Sequence, residues 1–159
     1  NREFPGNPDG TEMERLAWAV SQELQPVADY YIDLHSGDDY EKLTPYVYYA
    51  GAAAEEVVSF SRQMAEQGHV PYMVKSNVAS GGSYNYAASQ GIPSILIERG
   101  GMGDWTYEEV RSTRRDVRNI LCHLGIYQGL KDFRTYYPIF AIRMPRKTDS
   151  GIRLKKSVI

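Results

Sequence analysis

Cysteine is almost missing from this chain: Cys122 stands alone among 159 residues. No internal disulfide and no cysteine-based metal site can be built from it, and its place on the apolar side of a predicted helix reads as core. Long apolar runs are also missing. No stretch approaches the roughly 18 apolar residues of a membrane span, so no membrane partner is expected. An excess of one charge is absent as well. The formal net charge of −2 offers no global attraction to nucleic acid. The basic residues of the tail (Arg143, Arg146, Lys147, Arg153, Lys155 and Lys156) lack interleaved aromatics and read as solvated surface. Around Gly81-Gly82 the Lys-Ser/Thr of a phosphate loop is missing. Ser36 and Ser83 sit in no recognisable nucleophile elbow. No signal peptide is visible, which points to the cytoplasm, although the chain opens on Asn1 and not on methionine.

What is present is globular. Apolar residues at 42% against 24% charged are enough for a core in a domain of ordinary size. Thr11 and Glu14 form a capping-box pattern, and Met13, Leu16, Ala17, Val20 and Leu24 follow at helical spacing, predicting an amphipathic helix over 11–24 closed by Pro26. A strand ending at His35 comes next, then a short aromatic strand over Tyr46–Tyr49. The spacing predicts a helix over 53–67 with Val57, Phe60, Met64 and Ala65 inward and Gly68 as its stop. A strand at Tyr72–Val74, a short helix over 83–90 and a strand over 93–98 follow. A second capping box, Thr106 and Glu109, opens a long helix over 106–124, with Val110, Val117, Ile120, Leu121 and Leu124 as its buried stripe. This alternation predicts an α/β domain, three-layer α/β/α with a mixed, largely parallel sheet. After about residue 130 the pattern changes, and Tyr136–Met144 reads as a strand.

Two strand ends carry the chemistry. Asp33-Leu34-His35-Ser36-Gly37 ends a β-prone run on an imidazole, at the rim where open α/β sheets place ligands. Ser94-Ile95-Leu96-Ile97-Glu98 ends an apolar run on a carboxylate, followed by Arg99-Gly100-Gly101. One His and one Glu so placed suggest metal-assisted hydrolysis, in which zinc takes three protein ligands and one open position. Asn1 and Arg2 form a third candidate, because a guanidinium grips a carboxylate through two parallel hydrogen bonds. His69 and His123 have no ligand spacing to His35 and read as structural. Tyr46, Tyr48 and Tyr49 cluster where they could line a pocket, or serve as ordinary half-buried strand residues.

Taken in order, Asn1-Arg2-Glu3-Phe4-Pro5-Gly6, Asp33-Leu34-His35-Ser36-Gly37 and Glu98-Arg99-Gly100-Gly101 resemble the later motifs of the succinylglutamate desuccinylase/aspartoacylase family, of zinc-carboxypeptidase-like fold. The resemblance spans residues 1–125. It implies that His35 is one zinc ligand, that Glu98 is the general base, and that Asn1 and Arg2 bind the substrate carboxylate. The implied activity is zinc-dependent cleavage of an amide bond in an N-acyl amino acid or a peptide. In one respect the sequence departs from the family: the His-x-x-Glu that supplies two further zinc ligands occurs nowhere in it. The resemblance therefore implies a chain truncated at its N-terminus and inactive alone, with a partial catalytic domain over 1–130 and the start of a C-terminal β region over 131–159. Missing strands would expose apolar edges and favour a homo-oligomer. The alternative reading is an incomplete or degenerate, non-catalytic member of the fold that acts as a binding module.

Overall fold

Among the described residues, five strands and four α-helices follow one another in the order the sequence pattern predicts. The computed structural model describes residues 2–129 and the backbone of 140–143. Strands β1 (Tyr31–His35), β2 (Tyr46–Ala50), β3 (Tyr72–Ser76), β4 (Ser94–Glu98) and β5 (Phe140–Arg143) form one sheet in the order β1-β4-β2-β3-β5. Three pairings are parallel, and the β2–β4 pairing is antiparallel. Helix α3 (Ser83–Ser89) covers one face, packing Tyr84 and Ala88 onto Leu96 and Ala50. Helices α2 (Glu55–Ala65) and α4 (Tyr107–His123) cover the other, where Met64, Ala65 and Ile120 meet Val47, Ile95 and Ile97. This is the three-layer α/β/α architecture expected from the sequence. Of the residues expected to open a C-terminal β region, Phe140–Arg143 pair with β3 in this sheet; the others from 130 onward lie outside the described residues.

Both capping boxes form. Thr11 caps α1 (Glu12–Ala19) and Thr106 caps α4, each accepting from the N3 amide while the N3 glutamate accepts from the threonine amide. The helix expected over 11–24 is split by its own hydrogen bonding. It is α-helical to Ala19, widens into a π turn over Val20–Leu24 and tightens into a 3₁₀ turn over Gln25–Val27. Gln25, buried at the end of that run, donates to the Ser83 carbonyl at 3.1 Å and so fixes it to α3.

Three apolar stripes are less buried than their spacing suggests. Met13, Leu16 and Leu24 are all more than half exposed, Phe60 lies outward at 38%, and Val110 is 51% exposed. In α4 the fully buried positions are Asp116, Asn119 and Ile120. Polar groups take places where periodicity puts aliphatic ones, because hydrogen bonds satisfy them there.

Candidate functional site

The site is built from strand ends held in register. β1 and β4 run parallel with His35 opposite Glu98, and the antiparallel β2 sets Tyr46 opposite Glu98 on its other side. Alternation along a strand then places Asp33, two residues before His35, on the same face. The result is a short ionic row. Asp33 Oδ1 lies 3.1 Å from His35 Nε2, and Glu98 Oε1 lies 3.5 Å from His35 Nδ1. Ser83, in the first turn of α3, donates its hydroxyl to Asp33 Oδ2 at 2.6 Å. His35 is 28% exposed at its side chain, so the row opens to solvent at the rim.

Carboxylates at both ring nitrogens favour the imidazolium. They push the His35 pKa from about 6.5 to about 9, the Asp33 hydrogen bond contributing most, Glu98 next, with burial opposing. An aromatic wall flanks the row: Tyr46 packs edge-on to Tyr48 at 5.2 Å, and Tyr48 stacks on Tyr84. Burial, reinforced by the nearby charge of Glu98, raises the pKa of Tyr46 and keeps it a neutral phenol.

Two anchors aim these groups. Arg99 follows Glu98 directly, and its amide donates to the His35 carbonyl at 3.1 Å, extending the β1–β4 pairing past the rim. Its guanidinium reaches back to α4 and pairs with the buried Asp116 at 2.5 Å. The other oxygen of Asp116 accepts from the His69 amide at 3.1 Å. At the opposite end, Phe4 and Gly81 exchange two backbone hydrogen bonds of 3.0 Å, which lay the segment holding Arg2 beside the start of α3. Gly81 has φ +89°, a conformation glycine adopts without the steric cost of a side chain. The glycine pair thus serves as a chain anchor. Gly101 is also required, since a Cβ there would stand 2.0 Å from the Glu41 carbonyl oxygen.

His35 and Glu98, singled out from separate strands, are therefore brought together. Arg2 is exposed on the adjoining segment, and Asn1 lies outside the described residues. Sequence reasoning missed Asp33, although its i, i−2 relation to His35 on a strand is a readable signal. It also missed Asp116, which lies one helical turn before Ile120 and so on the same buried side of α4.

The expected zinc-dependent hydrolase and its zinc cofactor are corrected by these donors. Among the described residues no group of three or more His, Cys, Asp or Glu side chains is disposed to hold a metal ion. Asp33, His35 and Glu98 show the physical reason. The carboxylates approach opposite nitrogens of one ring, so the three side chains converge on the imidazole and not on a common point. The described residues do not by themselves form a catalytic zinc site.

Comparison with known proteins agrees with this architecture. The profile of the succinylglutamate desuccinylase/aspartoacylase catalytic domain matches residues 1–124. The chain is 31% identical over 137 residues to N-alpha-acetyl-L-2,4-diaminobutyric acid deacetylase of Halomonas elongata, a match covering 81% of this chain and 38% of that protein. Among solved structures it is similar to the product-bound ectoine utilization protein EutE (DoeB) from Ruegeria pomeroyi, with TM-score 0.78 and 27% identity, covering 92% of this chain and 44% of the other. The Rhodobacter sphaeroides succinylglutamate desuccinylase/aspartoacylase gives TM-score 0.78 and 26% identity, over 91% and 44% of the two chains. The chain thus spans less than half the length of these relatives. Among the described residues, no helix is long and apolar enough to cross a membrane.

Proposed function

Since this chain belongs to the succinylglutamate desuccinylase/aspartoacylase family, we propose that its 159 residues act as a non-catalytic binding module of that hydrolase fold. The ligand class is a small N-acyl amino acid or short peptide. Arg2, with Asn1 beside it, takes the carboxylate through the planar guanidinium fork. The His35–Glu98 rim receives the polar amide end, with Asp33 fixing the ring, and Tyr46 and Tyr48 supply an apolar side for the acyl group. One observation carries the reading: carboxylates engage both nitrogens of His35, which leaves neither nitrogen for a metal, while the Glu98 carboxylate keeps lone pairs that can accept from a ligand amide. A relative solved with a bound product supports a small-molecule ligand.

The test is calorimetric titration of the chain with N-acetyl amino acids and with their amides, which lack the free carboxylate. Saturable binding of the acids without turnover is expected. Replacing Arg2 by Ala should weaken the acids by about tenfold, in line with loss of a charge-assisted pair, and leave the amides unchanged. Stoichiometric zinc uptake with hydrolysis by this chain would overturn the proposal.

A further inference from the structure

Gly81-Gly82-Ser83 fits neither a phosphate loop nor a nucleophile elbow, yet the opening of α3 is tied to both ends of the rim. Gly81 exchanges two backbone hydrogen bonds with Phe4, on the segment that holds Arg2. Ser83 is 3% exposed, and its hydroxyl donates to Asp33 Oδ2 at 2.6 Å, within the range of a charge-assisted bond to a carboxylate. The other oxygen, Asp33 Oδ1, lies 3.1 Å from His35 Nε2. Tyr84, the next residue, stacks on Tyr48 of the aromatic wall. The turn is itself fixed from behind. Gln25 Nε2 donates to the Ser83 carbonyl at 3.1 Å, and Ser94 Oγ donates to the Tyr84 carbonyl at 2.6 Å. Asn85 Nδ2 donates to Ser76 Oγ at 3.1 Å and to the Val78 carbonyl at 3.0 Å.

Neither the imidazole nor the carboxylate fixes its own plane. The last torsions of Asp and His are broad, without the three sharp wells of aliphatic ones, so hydrogen bonds set both planes. Of the two carboxylates on His35, Asp33 is the nearer, at 3.1 Å against 3.5 Å for Glu98. The orientation of the ring therefore follows that of Asp33, and Ser83 holds Asp33 by its far oxygen. We propose that Ser83 is a positioning residue of this rim: through Asp33 it fixes the His35 imidazole to the frame of α3, at a set distance from the segment bearing Arg2, for a ligand that bridges the two. The role deepens the binding reading above and rests on it. Loss of the hydroxyl frees the Asp33 carboxylate to turn, and the ring with it, while the Phe4–Gly81 bonds keep the Arg2 segment in place. Recognition of the amide end then weakens for every ligand, with or without a free carboxylate.

The experiment reads the His35 ring of the intact chain by proton–carbon NMR, its signals assigned by their loss in His35→Gln. Ser83→Ala should broaden or split those signals and leave the rings of His69 and His123 in place, which also reports that the fold persists. Ser83→Cys keeps a weak donor at the same point and should fall between Ser83→Ala and the parent. Ser89→Ala removes an exposed hydroxyl bonded to the Tyr86 carbonyl later in α3 and should change nothing. In an Asp33→Ala background, adding Ser83→Ala should have no further effect on the ring, because the link is already cut. In calorimetry, Ser83→Ala should weaken N-acetyl amino acids and their amides alike, by about tenfold, where Arg2→Ala separates the two. An unchanged His35 ring in Ser83→Ala overturns the proposal, as does an equal added change in the Asp33→Ala background or a changed ring with unchanged affinity. Ring signals that respond as expected in a chain that binds no N-acetyl compound support the positioning role and overturn the binding reading.

Discussion

At the scale of single residues, His35 makes stability depend on pH in a definite direction. Its pKa is raised from about 6.5 to about 9 by Asp33 and Glu98. A group whose folded pKa exceeds its unfolded one contributes fully below the unfolded value, and the contribution is lost as pH rises through the folded value. Stability should therefore fall between about pH 6.5 and 9, by on the order of 2 kcal/mol once the partial exposure of the ring is allowed for. Urea unfolding followed from pH 6 to pH 10 measures this, with His35→Gln as the comparison. The substituted chain should lose the slope across that window, whereas identical slopes in the two chains would remove His35 as its source.

At the scale of elements, the junction of β4 with α4 depends on one buried ion pair. Arg99, 9% exposed, is held by Asp116, which is fully buried, while the His69 amide occupies the second carboxylate oxygen. Asp116→Ala would leave a buried guanidinium uncompensated and an amide without its acceptor, at a cost of about 3–5 kcal/mol. Chemical denaturation should show that loss, and hydrogen exchange should accelerate at the Arg99 amide, which bonds across to β1. A loss below about 1 kcal/mol would mean that the pair does not hold this junction. None of this contact was legible beforehand. The two residues are 17 apart, and their meeting depends on how α4 lies over the sheet, which periodicity does not encode. The strands, the helix stops and both capping boxes were legible because they rest on local spacing and local hydrogen bonds. The meeting of His35 with Glu98 was legible in part, since apolar runs ending on polar residues mark strand ends at a rim. The clamp by Asp33 was legible only as strand alternation, which sets residues i and i−2 on one face without fixing that their side chains meet.

At the scale of the whole molecule, apolar surface is distributed unevenly. Met13, Leu16, Leu24 and Val27 are exposed by 57, 58, 61 and 81%, and their spacing keeps them to one side of the N-terminal helical run. Among the described residues the sheet order also leaves β1 at an edge, with Leu34 on it half exposed. An open strand edge and an uncovered apolar stripe both favour pairing with another chain. The 159-residue chain in isolation is therefore expected to self-associate. Leu16→Glu combined with Leu24→Lys tests which surface drives it. Both side chains are mostly solvated in the single chain, so the melting temperature should shift little, while burial of two leucines between copies is worth about 1.5–3 kcal/mol each. Light scattering across a concentration series should move the substituted chain toward monomer by at least tenfold in dissociation constant. If the substituted chain associates as tightly as the parent, the stripe is not the contact and the β1 edge is the surface to alter next. A parent chain that stays monomeric throughout would show that neither surface attracts a second copy.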